Sequence, residues 1–281
     1  MFQRLIKNDL KENKVSMLVI GLFLLLTLTL SFAATRLTVS LTSSIERFVE
    51  TAKSPHLLQM HSGSVDRERL QNFVQQHSEI ASWQVTDFVN VEGSAIRINE
   101  KDSLQDSSQD NGFSSQNQNF DFLLDQYNRP AQPQPGQVYI PLYYYNSGKI
   151  KIGDQIRIGK LQLTVQGYIR DAQMNAGLVS SKRFLISQAD LETLKKEAFA
   201  SNENLIAFRV HKLSQISAIE QAYKNAELES NGPPMITYPT IKMINGFNDA
   251  LVILVMGLLV VAIIGITFLC MRFALLTKIQ E

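Results

Sequence analysis

VSMLVIGLFLLLTLTLSFAAT at residues 15–35 and ALVILVMGLLVVAIIGITFLCM at residues 250–271 contain no charged side chain. Each block has about 20 residues, and a helix of that length spans the roughly 30 Å hydrocarbon core of a bilayer. We therefore predict transmembrane helices at 15–35 and 250–271. Residues 1–14 carry more basic than acidic side chains, so both chain ends, 1–14 and 272–281, are expected in the cytoplasm.

The first block has a second interpretation as a secretory signal, because the small residues around Ser31 and Ala33 resemble a cleavage site. The block is longer than the apolar core of roughly 7–15 residues that such signals carry. We therefore expect an uncleaved anchor and a multi-pass protein of the cell membrane. Residues 36–249 then lie outside the cytoplasm.

The overall composition excludes some classes of function. With 27 Lys and Arg against 26 Asp and Glu, the net charge is +1, whereas nucleic-acid binding requires a strongly basic surface. No nucleic-acid partner is expected. The single cysteine, Cys270, lies at the end of the second apolar block, so no disulfide bond is expected to stabilise residues 36–249.

Next to each apolar block, on the side of the central residues, apolar side chains recur at helical spacing. They are Leu37, Leu41, Ile45 and Phe48 after the first block, and Ile241, Ile244 and Phe247 before the second. These stripes predict stalk helices at 36–53 and 239–249. Either the two stalks pair with each other, or they pack on the base of that domain.

The residues between the stalks show a strand–helix–strand pattern twice, at 54–100 and at 201–238. Two such units predict a split ferredoxin-like α/β domain. Residues 101–137 are rich in Ser, Gln, Asn and Asp, which predicts a polar mobile loop. Alternating apolar residues within 138–200 predict an inserted β-rich subdomain, an antiparallel meander, followed by a helix capped by Ser187. The fold class is therefore a membrane α+β protein.

The polar residues form no recognisable catalytic or metal-binding motif. The four histidines are not at metal-ligand spacing, and no GxSxG sequence is present. Residues 153–160 resemble a phosphate-binding loop, but the two glycines are one residue too far apart and Leu161 follows the lysine. No enzyme activity, cofactor or metal is expected. Gly257 and Gly265 in the second block are candidates for packing against another helix.

Four short strings of the sequence resemble one protein family. They read KIGDQI at 151–156, GYIRDAQM at 167–174, SSKRFLISQADLE at 180–192 and CMRF at 270–273. In this order between two spans, they resemble an ABC transporter permease of the FtsX/MacB type, from its first span through its MacB-type extracytoplasmic core domain to its second span. The residues that carry the resemblance are Gly153, Asp154, Arg170, Asp171, Ser181, Lys182, Arg183, Arg272 and Phe273.

The resemblance implies a partner and a mechanism. Permeases of this family bind a cytoplasmic ATPase subunit, which alone holds ATP, and act as homodimers or with a second permease half. ATP hydrolysis moves the spans, and the stalk helices pass the movement to the outer domain for export or mechanotransmission. Family permeases carry further spans and a cytoplasmic helix that contacts the ATPase. The chain is therefore expected to be the N-terminal part of a longer permease.

Two other functions fit an α/β domain between two spans. A polysaccharide co-polymerase has prolines before its second span, as Pro233, Pro234 and Pro239 are here, but long helices dominate that class and a β meander fits it less well. A membrane-anchored extracellular sensor is the other alternative, although the short tail at 272–281 leaves no room for a cytoplasmic output module. The sequence indicates no substrate.

Overall fold

The computed structural model describes residues 14–177 and 179–279. Contacts divide the chain into two units. One unit is 46–245, and the other consists of 1–45 together with 246–281. The helices of the described residues are α1 (Lys14–Thr51), α2 (Arg67–Gln76), α3 (Leu142–Asn146), α4 (Gln188–Leu194), α5 (Ile216–Asn225) and α6 (Tyr238–Ile279). The strands are β1 (Leu57–Ser62), β2 (Ile80–Val91), β3 (Ile96–Ile98), β4 (Asp102–Ser103), β5 (Asp110–Ser114), β6 (Gln137–Pro141), β7 (Gln155–Ile158), β8 (Leu161–Ile169), β9 (Ser181–Ile186), β10 (Ser201–Val210) and β11 (Ile236–Thr237).

The two segments predicted to cross the membrane are helical, since 15–35 lies within α1 and 250–271 within α6. Among the residues that the structure describes, no helix combines the length and the apolar character that crossing a membrane requires. The two spans therefore stay predictions from the sequence.

The two strand–helix–strand units of the sequence come together in one antiparallel sheet. Strands β1 and β2 flank α2, strands β10 and β11 flank α5, and the order across the sheet is β11-β1-β10-β2. Each neighbouring pair is antiparallel. This order and these directions are those of a ferredoxin-like unit, so the predicted split βαβ pattern is confirmed.

Helices α2 and α5 cover one face of this sheet through a buried aromatic cluster. The ring of Tyr223 lies 5.8 Å from the ring of Phe73 and 5.7 Å from that of Phe208, edge to face in both pairs. Such edge-to-face contacts are the favoured geometry of aromatic rings. Helix α2 begins at a favourable cap, because Asp66 accepts a hydrogen bond from the Arg69 amide at 3.0 Å. The apolar faces of both helices thus fix them on the sheet.

The sheet continues from β2 into the inserted residues without a break. Its further order is β2-β5-β9-β6-β8-β7-β3-β4, with β5 parallel to β9 and β6 parallel to β8. The predicted hairpin is present, since β7 and β8 pair antiparallel across a turn in which Gly159 has a φ of +55°. The predicted antiparallel meander is wrong beyond that hairpin, because β8 takes β6 as its other neighbour in a parallel direction. Parallel pairing leaves no local pattern in the sequence.

The polar segment 101–137 was expected to be a loop, and the structure corrects this prediction. Strand β5 lies inside the segment and forms the seam between β2 and β9. Single apolar side chains along it, Leu104, Phe113 and Phe120, are buried. Side-chain amides of the segment form hydrogen bonds with its irregular backbone. The amide of Gln116, for example, donates to the carbonyl oxygen of Leu123 at 2.8 Å. A polar composition therefore marks an irregular but packed segment here.

The packing of β5 predicts the effect of adding one methyl group at Gly112. A Cβ atom at this position would lie 1.8 Å from the ring of Phe88, which is fully buried and has no room to move. We expect Gly112→Ala to lower the free energy of unfolding by about 1–3 kcal/mol. The measurement is the midpoint of thermal unfolding, followed by the fluorescence of Trp83.

Gly177→Ala is the matched control, because a Cβ atom there meets no described atom within 4 Å. It should leave the midpoint unchanged. Equal midpoints for the two variants and the parent would mean that 101–137 is not packed into the sheet.

Candidate functional site at the domain ends of the long helices

The last residues of α1 are anchored to the segment that follows β5. Val49 and Ala52 are buried, and Lys53, two residues after the last residue of the helix, has a φ of +45°, the left-handed conformation common at helix C-termini. The carbonyl oxygens of Ala52 and Lys53 both accept hydrogen bonds from backbone amides. Ala52 accepts from the Phe122 amide at 2.7 Å and Lys53 accepts from the Asp121 amide at 3.0 Å. The backbone of α1 is therefore bonded directly to residues 121–122.

Arg170 provides a second link between α1 and the domain. Its guanidinium carbon lies 4.4 Å from the centre of the Phe48 ring, within the range of a cation–π contact. The same guanidinium donates a hydrogen bond to Asn128 Oδ1. The backbone of Arg170 pairs with Leu124 in both directions, with N···O distances of 2.8 and 3.1 Å. Arg170 thus joins the helix to the end of β8.

A fully buried cluster of charges lies directly behind these two links. Arg183 on β9 donates from Nε to Asp171 Oδ2 at 2.8 Å and from Nη1 to Asp121 Oδ2 at 2.8 Å. Gln173 donates to Asp121 Oδ1 at 2.5 Å, and Asn117 donates to Asp121 Oδ2 at 3.0 Å. Asp121 and Asp171 are the direct neighbours of the residues that hold α1. The cluster therefore connects the end of α1 to two strands of the sheet.

The cluster brings two carboxyl groups to one guanidinium in a buried site. Burial raises the pKa of Asp121, and the opposing charge of Arg183 only partly offsets this effect. Burial also disfavours the charge of Asp171, but the charge and hydrogen bonds of Arg183 outweigh it and lower the pKa of Asp171. Burial disfavours the charge of Arg183, but the charges and hydrogen bonds of the two carboxyl groups outweigh it and raise the pKa of Arg183, so it stays charged. The carboxyl groups and the guanidinium are bonded to one another, so the cluster fixes structure, while Gln173 Oε1 is buried without a hydrogen-bond partner among the described residues.

The start of α6 is anchored beside the end of α1. The Tyr238 amide donates to the carbonyl oxygen of His56 at 2.8 Å, and the side chain of Ile241 is buried. Lys242 Nζ lies 2.8 Å from Glu46 Oε1, which ties the first turns of α6 to the last turns of α1. Both long helices are thus attached to the domain near residues 52–56. We call the contacts of residues 46–56, 121–124, 170–171, 183 and 238–242 the junction.

The structure tests only some of the stalk residues that the sequence singles out. Phe48 and Ile241 belong to the junction, Ile45 is half-buried and Leu37 is exposed. The side chains of Leu41, Ile244, Phe247, Arg272 and Phe273 lie outside the described residues. Gly257 and Gly265 are exposed, and a Cβ atom at either would meet no described atom within 4 Å. Their role in packing against another helix stays a prediction.

The family-like residues within 46–245 fall into two places. Gly153 and Asp154 shape a turn, in which Gly153 has a φ of +93° and Asp154 accepts from the Lys151 amide at 2.8 Å. Ser181 is half-buried at the start of β9.

Lys182 is fully buried, and its ammonium donates to the carbonyl oxygens of Ala176 and Val179. Burial lowers its pKa to about 8. Arg170, Asp171 and Arg183 meet at the junction instead, so two of the family-like strings are joined by a buried ion pair. Asp121, their partner, was not predicted, because it lies in the segment interpreted as a loop.

Comparisons with known proteins assign no family to the chain. No protein-family model matches it, and no curated protein matches it. The periplasmic region of MacB from Actinobacillus actinomycetemcomitans is a structural neighbour with 11% identity and a TM-score of 0.35, covering 71% of this chain and 96% of that one. The extracellular domain of the noncanonic ABC-type transporter YknZ from Gram-positive bacteria has 13% identity and a TM-score of 0.33, covering 64% and 98%.

At such low identities and TM-scores the likeness gives this chain no substrate and no partner.

The buried cluster predicts a large penalty for removing its only cation. Arg183→Met leaves two carboxyl groups buried side by side, and we expect the free energy of unfolding to fall by about 3–5 kcal/mol. Arg129→Met is the matched control, because Arg129 pairs with Asp125 at the surface with 70% of its side chain exposed. The control should cost less than about 1 kcal/mol. Similar losses in urea unfolding would show that the cluster does not stabilise the junction.

His56 predicts that the stability of the junction depends on pH. Its Nδ1 accepts a hydrogen bond from the Val210 amide at 3.0 Å, and burial, followed by the charge of Arg209, lowers its pKa from 6.5 to about 4. Because the folded state resists protonation, the stabilisation is complete above pH 6.5 and is lost as the pH falls towards 4. The side chain is only partly buried, so we expect a loss of about 1–2 kcal/mol.

His56→Asn keeps a hydrogen-bond acceptor near the Nδ1 position and does not titrate. The difference in urea-unfolding free energy between this variant and the parent, measured at pH 7 and at pH 4.5, isolates the contribution of His56. A difference that does not change with pH would contradict the assignment.

Proposed function

We propose that residues 46–245 form the extracytoplasmic domain of an ABC transporter permease of the FtsX/MacB type, held at the membrane by helices at 15–35 and 250–271. The observation that carries the proposal is the junction. The end of one long helix and the start of the other are bonded to neighbouring positions of the domain, and the contacts continue into a buried charge cluster. Such an arrangement suits a domain that is moved by its two helices.

The membrane part of the proposal is supported by the side chains of the long helices. Large apolar side chains such as Leu28, Phe32 and Val261 are exposed along them. The hydroxyl groups of Thr29 and Thr35 donate to carbonyl oxygens of their own helix at 2.9 Å, so these groups need no water. An apolar surface with internally satisfied polar groups is what a helix surrounded by lipid requires.

The coupling part of the proposal follows a continuous chain of contacts. Movement of α1 acts on the Phe48 ring and on the carbonyl oxygens of residues 52–53. Phe48 acts on Arg170, whose neighbour Asp171 is bonded to Arg183 on β9. The backbone bonds of residues 52–53 act on Asp121, the other partner of Arg183. Two routes therefore converge on one guanidinium on β9, a strand inside the sheet, which makes the response of the domain rigid rather than local.

The energy source and the partners follow from the resemblance to the permease family. A cytoplasmic ATPase subunit binds and hydrolyses ATP, and the chain supplies no nucleotide site of its own. A second copy of the chain, or a second permease half, completes the membrane part. The outer domain then carries out export or mechanotransmission on the extracytoplasmic side.

Cysteine labelling in intact cells tests the membrane arrangement. In a Cys270→Ser background, Asn146→Cys places a thiol at the exposed end of α3. A membrane-impermeant maleimide should label it in intact cells. Gln3→Cys, in the predicted cytoplasmic segment 1–14, should be labelled only after lysis. The reverse pattern would contradict the proposed topology.

The thiol of Asn146→Cys, labelled with an environment-sensitive dye, tests whether movement of the long helices reaches the domain. We expect ATP to change the fluorescence of the dye in the membrane complex of the permease and its ATPase subunit. Phe48→Ala and Arg170→Met should each reduce this change at least about twofold, because each removes the cation–π contact. Arg129→Met removes a comparable contact to Tyr127, which lies outside the junction, and should have no effect. An undiminished change in both junction variants would refute the coupling.

A further inference from the structure

A groove of about 400 Å³ is formed by helix α5, strand β1 and the residues that lead from α5 to β11. Helix α5 lines it with Tyr223 and Lys224, residues 233–235 line it with two prolines and a methionine, and β1 lines it with Gln59. A cavity of this size with largely apolar walls and few polar groups is the usual form of a small-ligand site. The proposed transmission of movement does not use this groove.

The amide of Gln59 is the most buried polar group of the groove, and its orientation is fixed. The residue is only 3% exposed, and its Nε2 donates to the carbonyl oxygens of Met60 at 2.7 Å and Pro233 at 2.8 Å. The reversed amide would point an oxygen at two acceptors, so Oε1 is the end without a partner. No described residue donates a hydrogen bond to Oε1, which retains accessible surface where Gln59 lines the groove.

The groups around this oxygen explain why it has no donor. The two prolines of 233–235 carry no N–H group. Two donors of α5 are engaged elsewhere, because Lys224 Nζ donates to Glu220 Oε1 at 2.6 Å and the hydroxyl of Tyr223 donates to the carbonyl oxygen of Glu229 at 2.7 Å. A buried acceptor without a donor costs free energy, so Gln59 Oε1 favours a ligand that donates.

The charges of the groove favour a ligand without net charge. Lys224 and Glu220 neutralise each other, and Glu227, the other charged residue of the lining, is exposed to water that screens it. An anion would meet the acceptor Gln59 Oε1, and a cation would meet the ammonium of Lys224. A neutral group that donates one hydrogen bond avoids both conflicts.

The apolar lining specifies the body of such a ligand. Proline rings and methionine sulfur atoms both pack favourably on aromatic faces, and residues 233–235 supply two prolines and one methionine. An indole ring has one N–H donor and no acceptor, so a single acceptor satisfies it completely. A hydroxyl group would bring lone pairs that need donors of their own.

The wall opposite α5 is fixed to β1 before any ligand binds. The carbonyl oxygen of Asn231 accepts from the Ser62 amide at 2.7 Å, and the amide of Asn231 donates to His61 Nδ1 at 3.0 Å. A Cβ atom at Gly232 would lie 2.5 Å from the carbonyl oxygen of Met60, so this residue lies directly against the strand. A preformed wall reduces the entropy that binding costs.

We propose that the groove binds an indole ring, whose N–H group donates to Gln59 Oε1 and whose faces pack on residues 233–235. The ring belongs either to a free small aromatic compound or to a tryptophan side chain of a polypeptide. Both sources present the same donor and the same apolar faces.

Titration of the full chain in lipid nanodiscs, followed through the NMR signals of the probe, tests the proposal and separates the two sources. The free probes are indole and benzofuran, which has the same shape and no N–H group. The peptide probes are acetyl-Gly-Trp-Gly-amide and the same peptide with benzothienylalanine in place of tryptophan. After subtraction of empty nanodiscs, we expect saturable binding of at least one indole probe and at least about tenfold weaker binding of its counterpart without the N–H group. Binding of free indole indicates a small aromatic compound, and binding of the tryptophan peptide alone indicates a polypeptide.

Two substitutions locate the binding in the groove. Gln59→Leu removes the acceptor and should weaken binding at least about tenfold. Pro234→Ala removes part of the apolar wall and should weaken binding at least about threefold. Pro135→Ala is the matched control, because this exposed proline precedes β6, several strands away from β1, and it should leave the affinity unchanged. Should Gln59→Leu lower the unfolding midpoint, Pro234→Ala, at an exposed position, still gives the result.

The absence of saturable binding by both indole probes overturns the proposal. Equal binding of the probes without an N–H group overturns it as well, because the donor would then play no part. Unchanged affinity in both groove variants would place the binding elsewhere and has the same consequence. These outcomes leave the junction and its dye experiment untouched, so the two proposals fail independently.

Discussion

The guanidinium of Arg183 is the contact on which the arrangement of the domain depends. It lies between a carboxyl group from the irregular segment after β5 and one from the end of β8, and all three groups are buried. Such clusters add little net stability, because removing charges from water costs about as much as their attraction returns. Their value is selectivity, since any other pairing of these segments leaves a buried charge without a partner. The cluster therefore specifies which segments meet beneath the end of α1.

The contacts around this guanidinium are of different kinds, and they differ in how they respond to force. The backbone bonds at residues 121–122 have fixed directions and lengths. The contact of Arg170 with the Phe48 ring tolerates sliding, because the ring presents a broad face. The end of α1 is therefore held both by bonds of fixed direction and by a contact that is not directional.

Local periodicity explains how much of this fold the sequence predicts. The helical and alternating patterns around Phe73 and Ile156 arise within short stretches, so the βαβ units and the β7–β8 hairpin could be identified. Strand β5 could not, because its apolar side chains stand singly among polar residues whose amides bond the backbone. The buried charge cluster could not be predicted from the sequence either, because Arg183 is 12 positions from Asp171 and 62 positions from Asp121. Pairings of that range follow from tertiary packing and leave no repeat in the chain.

The insertion of a whole subdomain between the two βαβ units has a consequence for synthesis on the ribosome. Strand β1 takes β10 as its neighbour, with Leu57 opposite Phe208, so the first unit emerges long before its partner strand exists. Until then the edges of β1 and β2 are open templates for intermolecular pairing. The inserted residues have their own apolar core, centred on residues such as Ile140 and Leu163, and can collapse first. That collapse shortens the effective loop that the late strand must close, which lowers the entropy cost of completing the sheet.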